Sequence, residues 1–317
     1  MNLRIGSRGS QLALWQANYI AGRLRCHQHS VEIAIIKTTG DRLQEVTFAQ
    51  VGSKGMFTKE IEDALAEGRV DLAVHSLKDL PTELPAGFAL AATPARVDPR
   101  DVFVSVKYAD LASLPSGAKV GTSSQRRRAQ LKELRPDVEA VEFRGNVDTR
   151  LRKLAEGQVE AILLAAAGLD RLEKTEWVRE RLEPKDFCPA AGQGSLGIET
   201  RLNDADTLAA LAFLDDAPTR YAVTAERAAL AALGGGCQVP IGIHCRPASG
   251  QEPGESSWEI FGVVANPETG KTVRAYHSVP GTHGDPAALG RTIAEMLLAS
   301  GAGSLLDGVA LGAGGAA

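Results

Sequence analysis

Twice along this chain, short apolar runs alternate with segments whose apolar residues recur at helical spacing, and then the alternation stops. LRIGS at 3–7, VEIAIIKT at 31–38 and VDLAVHS at 70–76 read as strands. SQLALWQANYIAGRL brings Leu12, Trp15, Tyr19 and Ile20 onto one side of a helix that Ser10 can N-cap. FTKEIEDALAEG is a second helix, closed by Gly68. The same grammar resumes with AKVGTSS, QRRRAQLKELRP, VEAVEFR, NVDTRLRKLAEG and VEAILLAAAG. Alternation on this scale commits a chain to α/β units with largely parallel sheets. VDLAVHS is apolar enough to lie inside a sheet covered on both faces.

Two Gly/Pro-containing passages, TPARVDPRD at 93–101 and FCPAAGQGSLGIET at 187–200, read as crossings between the units. After a helical run from Thr219 to Leu233, VPIGIHCR, SWEIFGVVAN and TVRAYHSV read as strands without intervening helices, and DPAALGRTIAEMLLAS closes with one helix. The expected organisation is therefore an α/β lobe from 1–94 and 195–215, a second α/β lobe from 95–194, and a small α+β domain from 216–317. Two lobes joined by two crossings predict a hinge and a cleft. The tail GAGSLLDGVALGAGGAA is expected to fray, with LLDGVAL as an alternative cap on the last helix.

With 317 residues, 44% hydrophobic and 23% charged, the chain has the composition of an ordinary globular protein. Its formal net charge of −4 gives no global case for nucleic acid or acidic membranes, so any polyanion site must come from local clustering of bases. The N-terminus resembles neither a signal peptide nor a transit peptide, and no window approaches the ~20 apolar residues of a membrane span. A cytoplasmic location is expected. Cys26, Cys188, Cys237 and Cys245 form no CxxC pair and should stay reduced. CHQH at 26–29 and the His244–Cys245 pair have no partner cluster at zinc-site spacing, so no metal is expected.

Three constellations can carry chemistry. HSLKDLP at 75–81 places Lys78 and Asp79 in the loop after the third strand, where open α/β sheets bind ligands. Read from its residues alone, Asp79 is either a general acid–base carboxylate or a turn aspartate beside a solvated lysine. Residues 122–152 hold seven arginines and one lysine against five acids. There GTSSQRRR sets Ser124, Arg126 and Arg127 at a helix start, and FRGNVDTR supplies Arg144 and Arg150. Arginine forks and helix N-termini both suit carboxylate or phosphate. GSRGSQ adds Arg8 and Ser10, and GSKG adds Lys54. Bases at several strand ends point to a polyanionic small molecule, with ordinary surface arginines as the alternative. Aromatic content of only 5% argues against nucleic-acid stacking platforms. In the third constellation, LGGGCQVPIG at 233–242, Cys237 is a nucleophile, a covalent anchor or a buried inert thiol. No GxxxxGK[ST], GxGxxG after a strand, HExxH or GxSxG occurs.

RIGSRGSQLALWQ, GSKGMFTKE, DLAVHSLKDLPT, DPRDVFVS, VGTSSQRRRAQL, FRGNVDTRL, AILLAAAGLDRL, AAGQGSLGIE, VTAERA and GGGCQVPIG occur in this order. Together, from about residue 3 to 245, they resemble the porphobilinogen deaminase (hydroxymethylbilane synthase) family of tetrapyrrole biosynthesis. The resemblance implies two lobes similar to type II periplasmic binding proteins and a third domain that carries a cofactor loop. It implies a dipyrromethane cofactor joined by a thioether to Cys237, and Asp79 as the catalytic carboxylate. It further implies that Arg8, Ser10, Lys54, Lys78, Ser124, Arg126, Arg127, Arg144, Arg150 and Arg171 bind substrate and cofactor carboxylates. The implied transferase condenses four porphobilinogen molecules in turn with loss of ammonia, then releases the linear tetrapyrrole by hydrolysis. A monomer is implied, with no nucleic-acid or membrane partner. Gln11 stands where many relatives have proline, and Arg128 extends the usual arginine pair with no role assigned. A non-catalytic anion-binding lobe pair would explain the arginines and hinge, but gives Cys237 and the third domain nothing to do.

Overall fold

The computed structural model describes residues 1–39, 58–235, 239–248, 257–281 and 284–306. Lys54 and Cys237 lie outside the described residues. Among those described, the chain makes β1 (Asn2–Ser7), α1 (Gln11–Cys26), β2 (Ser30–Ile35), α2 (Lys59–Ala66), β3 (Leu72–Ser76) and β4 (Phe88–Ala92). It continues with β5 (Asp101–Val104), β6 (Lys119–Gly121), α3 (Gln125–Leu134), β7 (Glu139–Val141), α4 (Val147–Ala155), β8 (Ala161–Ala165), α5 (Ala166–Arg171) and β9 (Val178–Arg181). Then come β10 (Leu196–Arg201), α6 (Ala205–Leu211), α7 (Ala217–Ala232), β11 (Ile241–Pro247), β12 (Ser257–Ala265), β13 (Thr272–Pro280) and α8 (Pro286–Ala299).

Local chemistry sets the helix starts. Ser10 Oγ accepts the Ala13 N–H at 3.3 Å, and Ser124 Oγ accepts that of Arg127 at 3.4 Å. Asn146 does the same for α4 and Asp285 for α8, the latter just before a proline in the first helical turn.

Two compact units result, Met1–Val97 with Gly194–Arg220 and Asp98–Gln193 with Tyr221–Ala317. The first holds a sheet in the order β2-β1-β3-β10-β4, and the second a sheet in the order β7-β6-β8-β5-β9. The two correspond position for position. In each, three parallel strands are joined by one that arrives from a crossing and pairs antiparallel, β10 against β3 and β5 against β8. The expected buried strand, 70–76, is β3, central in its sheet with Leu72–His75 buried.

Alternation along β5 shows how both faces of the second sheet are covered. Val102 and Val104 pack with Leu151 and Leu154 of α4, whereas Phe103 packs with Leu131 of α3 and with Phe187. In the first sheet, α1 buries Ala17, Ile20, Ala21 and Leu24 against Leu3, Ile5, Leu72 and Val74. The edge strands β4 and β9 and the short α5 had no sequence expectation.

The remaining strands form an antiparallel β11-β12-β13 sheet, the expected small α+β element. Ile243, Ile260 and Val264 meet Ala225 and Ala229 of α7 and Ile293 and Leu297 of α8. Here α8 comes so close to α7 that a Cβ on Gly290 would lie 2.1 Å from the Ala225 carbonyl oxygen. Gly290→Ala is therefore expected to cost about 1–3 kcal/mol, because the helices must part. A chemical-denaturation midpoint equal to or above that of the wild type would refute this packing. The described start of the tail, 301–306, is not frayed, and residues 307–317 lie outside the described residues. Residues 302–306 are helical, Ala302 is buried, and Leu305 and Leu306 pack on this core. Two leucines suffice to hold the segment down despite its low complexity.

Candidate functional site

Every described residue of the expected site follows the carboxyl end of a parallel strand. Arg8 and Ser10 follow β1, Lys78 and Asp79 follow β3, and Ser124, Arg126 and Arg127 follow β6. Arg144 and Arg150 follow β7, and Arg171 ends the helix that leaves β8. Since β1 and β3 correspond to β6 and β8, the groups occupy equivalent places in the two sheets.

In the first unit, β3 runs into a 3-10 turn, Leu77–Asp79. Leu77, its first residue, and Leu80, just after it, are buried, while Asp79 is exposed and Lys78 half-buried. The turn is fastened by Leu77 N–H to the Ser195 carbonyl at 3.0 Å and by Gln16 Nε2 to Ser76 Oγ at 2.8 Å. One residue earlier, His75 Nε2 lies 3.1 Å from Glu199 Oε2, both side chains buried. Strand β10 thus supports the element that carries the carboxylate.

In the second unit the bases fall into two groups. Arg126 and Arg127 are buried around Asp101. Arg126 Nη1 donates to Asp101 Oδ2 at 2.6 Å and to the Cys188 carbonyl at 2.6 Å. Arg127 donates through Nε and Nη2 to Asp101 Oδ1 at 3.0 and 2.8 Å, and through Nη1 to the Leu163 carbonyl. Gln193 Nε2 adds a bond to Asp101 Oδ1 at 2.9 Å. Burial opposes ionisation of Asp101, but the two guanidiniums override it and hold the carboxyl well below the usual carboxylate range.

Asp101→Asn leaves two buried guanidiniums answered by no carboxylate and is expected to cost about 3–5 kcal/mol in denaturant titrations. Since the folded-state pKa lies below the ordinary 3.8, the stabilisation is complete above that value and fades as pH falls beneath it. An Asp101→Asn chain that loses stability in parallel with the wild type on acidification would remove Asp101 from this role.

The other group carries surplus positive charge. Arg144 pairs with Glu142 at 2.6 Å, and Arg150 Nε donates to the Gly145 carbonyl at 2.8 Å. Burial lowers Arg150 to about 10, and the charges of Arg127 and Arg144 push the same way against the pull of Glu142. A guanidinium held among like charges can accept an anion. Ser10 and Ser124 use their hydroxyl oxygens as helix caps, and a capping hydroxyl can still donate its proton to a carboxylate.

Two of the glycines before Cys237, Gly234 and Gly235, are described. Gly234 has φ +67, and a Cβ on Gly235 would meet Leu230 at 2.5 Å and Val239 and Ile241 at 2.9 Å. Cys188 is a different kind of thiol, its pKa pushed up to about 12 by burial, and it is inert by that measure. Among the described residues no three His, Cys, Asp or Glu side chains converge as metal ligands, and no helix is long and apolar enough to cross a membrane.

Sequence reasoning passed over Asp101, Gln193, Glu142 and the His75–Glu199 pair. Asp101 and Gln193 stand in the quoted DPRDVFVS and AAGQGSLGIE motifs, which was their only signal, because their partners lie at least 25 residues away.

The chain is similar to known proteins over nearly its whole length. The family model described as "Porphobilinogen deaminase, dipyromethane cofactor binding domain" matches residues 3–209, and "Porphobilinogen deaminase, C-terminal domain" matches residues 220–299. The porphobilinogen deaminase of Trichlorobacter lovleyi is 48% identical over 97% of this chain and 96% of its own length. That of Chromobacterium violaceum is 48% identical over 96% of this chain and 97% of its own. Among solved structures, the methionine-binding protein MetQ is similar with a TM-score of 0.44 at 11% identity, covering 67% of this chain and 89% of that one. With both family models matched in order and half the residues shared with full-length relatives, the chain belongs to the porphobilinogen deaminase family.

Proposed function

We propose that this chain is a hydroxymethylbilane synthase, a transferase that condenses four porphobilinogen molecules and releases a linear tetrapyrrole. The observation that carries the reading is its near-full-length kinship, 48% identity over 97% of the chain, with a porphobilinogen deaminase.

At each addition the aminomethyl C–N bond of porphobilinogen breaks, nitrogen leaves as ammonia, and positive charge is left on the pyrrole. Asp79 stabilises that charge, relays a proton to the departing amine, and takes up the proton lost when the new carbon–carbon bond forms. An exposed carboxylate on a turn anchored by two buried leucines suits this work, being accessible and fixed in position.

The residues present fit a polycarboxylate cofactor: Arg150 has its pKa drawn down to about 10 by burial and by like charges, the condition an anion relieves. Arg144 and Arg150 take carboxylates directly, together with Arg8, Lys54, Lys78 and Arg171 and the hydroxyls of Ser10 and Ser124. Arg126 and Arg127 add positive potential from their Asp101-bound positions. Cys237 holds a dipyrromethane by a thioether. When bound, that group supplies a nucleophilic pyrrole carbon and a permanent tether. Each substrate unit brings an acetate and a propionate, which accounts for the concentration of bases in a chain of net charge −4.

The reading extends to three folding domains, 1–94 with 195–215, 95–194 and 216–317, and to a cytoplasmic monomer without nucleic-acid or membrane partners. Incubation of the purified chain with porphobilinogen is expected to release four ammonia molecules per tetrapyrrole formed. Consumption of porphobilinogen without ammonia, or no consumption, would overturn the assignment.

A further inference from the structure

Arg128 is the third arginine of GTSSQRRR, and the chemistry above gives it no task. Its Nη2 lies 3.6 Å from Glu142 Oε2, while Oε1 of the same carboxylate accepts from Arg144 Nε at 2.6 Å. The meeting is built by the backbone. Thr122 N–H bonds the Val141 carbonyl at 2.9 Å, and Ser123 Oγ donates to the Phe143 carbonyl at 2.8 Å. The loop after β6 is thereby fastened to the loop after β7, so that the first turn of α3 faces the residues that carry Glu142 and Arg144. Arg150, from α4, stands close enough for Arg144 and Glu142 both to act on its charge.

One carboxylate is therefore shared by Arg128 and Arg144 and acts on the charge of Arg150, while Arg127 is matched to Asp101. Glu142 differs from Asp101 in accessibility. Its side chain is 45% exposed against 0% for Asp101, so it can exchange partners with solvent and with an arriving anion. Exposed pairs of this kind are individually weak, which makes them displaceable.

We propose that Glu142 is a resident competitor for the carboxylate positions of this basic cluster, and that Arg128 sets the strength of the competition by drawing Glu142 away from Arg144. The proposal rests on the reading that Arg144 and Arg150 bind substrate carboxylates. Its physical logic is release. Carboxylates accumulate as the product grows, and a cluster of guanidiniums with no internal anion would hold the finished chain tightly. A tethered carboxylate lowers that affinity and refills the site when product leaves.

The test is steady-state kinetics of the full chain with its cofactor, acting on porphobilinogen, for E142Q, R128Q, the double variant and R144Q. Thermal melts confirm that each is folded. E142Q is expected to lower KM about three-fold and to make KM more sensitive to salt, because an attractive field is no longer partly cancelled. R128Q is expected to raise KM about two-fold alone and to leave it unchanged in the E142Q background, because Arg128 acts only through Glu142.

KM unchanged or raised in E142Q overturns the competition. So does an R128Q effect of equal size in both backgrounds, which would make Arg128 a direct substrate contact. R144Q separates the two readings. Raised KM in R144Q with no effect of E142Q sinks the competitor alone. Unchanged KM in R144Q sinks the underlying assignment of Arg144, and the competitor with it.

Discussion

Cys237→Ser is expected to remove from the purified protein a covalent adduct of two pyrrole units, and with it nearly all turnover. Nucleophilicity separates the two side chains. A thiol with a pKa near 8.5 supplies some thiolate at neutral pH, whereas a serine hydroxyl supplies no comparable anion without an activating base. Gly234 has φ +67, and Leu230, Val239 and Ile241 fill the space that a side chain on Gly235 would need. Intact mass spectrometry decides the matter. An unmodified wild-type chain with full activity, or a serine variant that keeps the adduct, would refute the anchoring role.

Asp79→Asn is expected to keep that adduct and to lose turnover by about 10²–10⁴-fold, the usual contribution of a positioned acid–base group. Asparagine preserves size but can neither neutralise a cationic pyrrole nor carry a proton at neutral pH. Because Asp79 is exposed and the turn is held by the buried Leu77 and Leu80, stability should change by no more than about 0.5 kcal/mol. Lost activity would thus report chemistry rather than unfolding. Turnover within ten-fold of wild type, measured as ammonia release, would take Asp79 out of the central role.

Much of this architecture can be read locally. Ser10, Ser124, Asn146 and Asp285 announce helices because a capping side chain bonds its own backbone three residues on or nearer. The apolar runs that became β3 and β8 announce themselves because strands buried on both faces have no polar side. What escaped is non-local. The edge strands β4 and β9 have weak patterns and exist because β10 and β5 offer them hydrogen bonds. The change of grammar after residue 216 was legible, but the ties of the small sheet to its neighbours were not. They run through Lys132 to the Glu268 carbonyl, Arg274 to Glu133, and Gly242 against Cys188.

The site shows the same division. Asp79 and the arginines were legible because motifs place them after strands. Asp101 was not, since an aspartate in a proline-containing crossing gives no sign that it will hold two guanidiniums in the dark of the second unit.

The strand that enters each sheet from a crossing has a consequence for synthesis on the ribosome. β3 is buried along most of its length, yet its neighbour β10 is encoded ~120 residues later, between Ser76 and Leu196. At typical elongation rates that gap lasts roughly 6–24 s. Throughout it the nascent chain presents an open, apolar hydrogen-bonding edge, the kind of surface that recruits chaperones or pairs with another copy. The N-terminal unit cannot be finished first, and the strand that leads into the Asp79 turn waits longest for its neighbour.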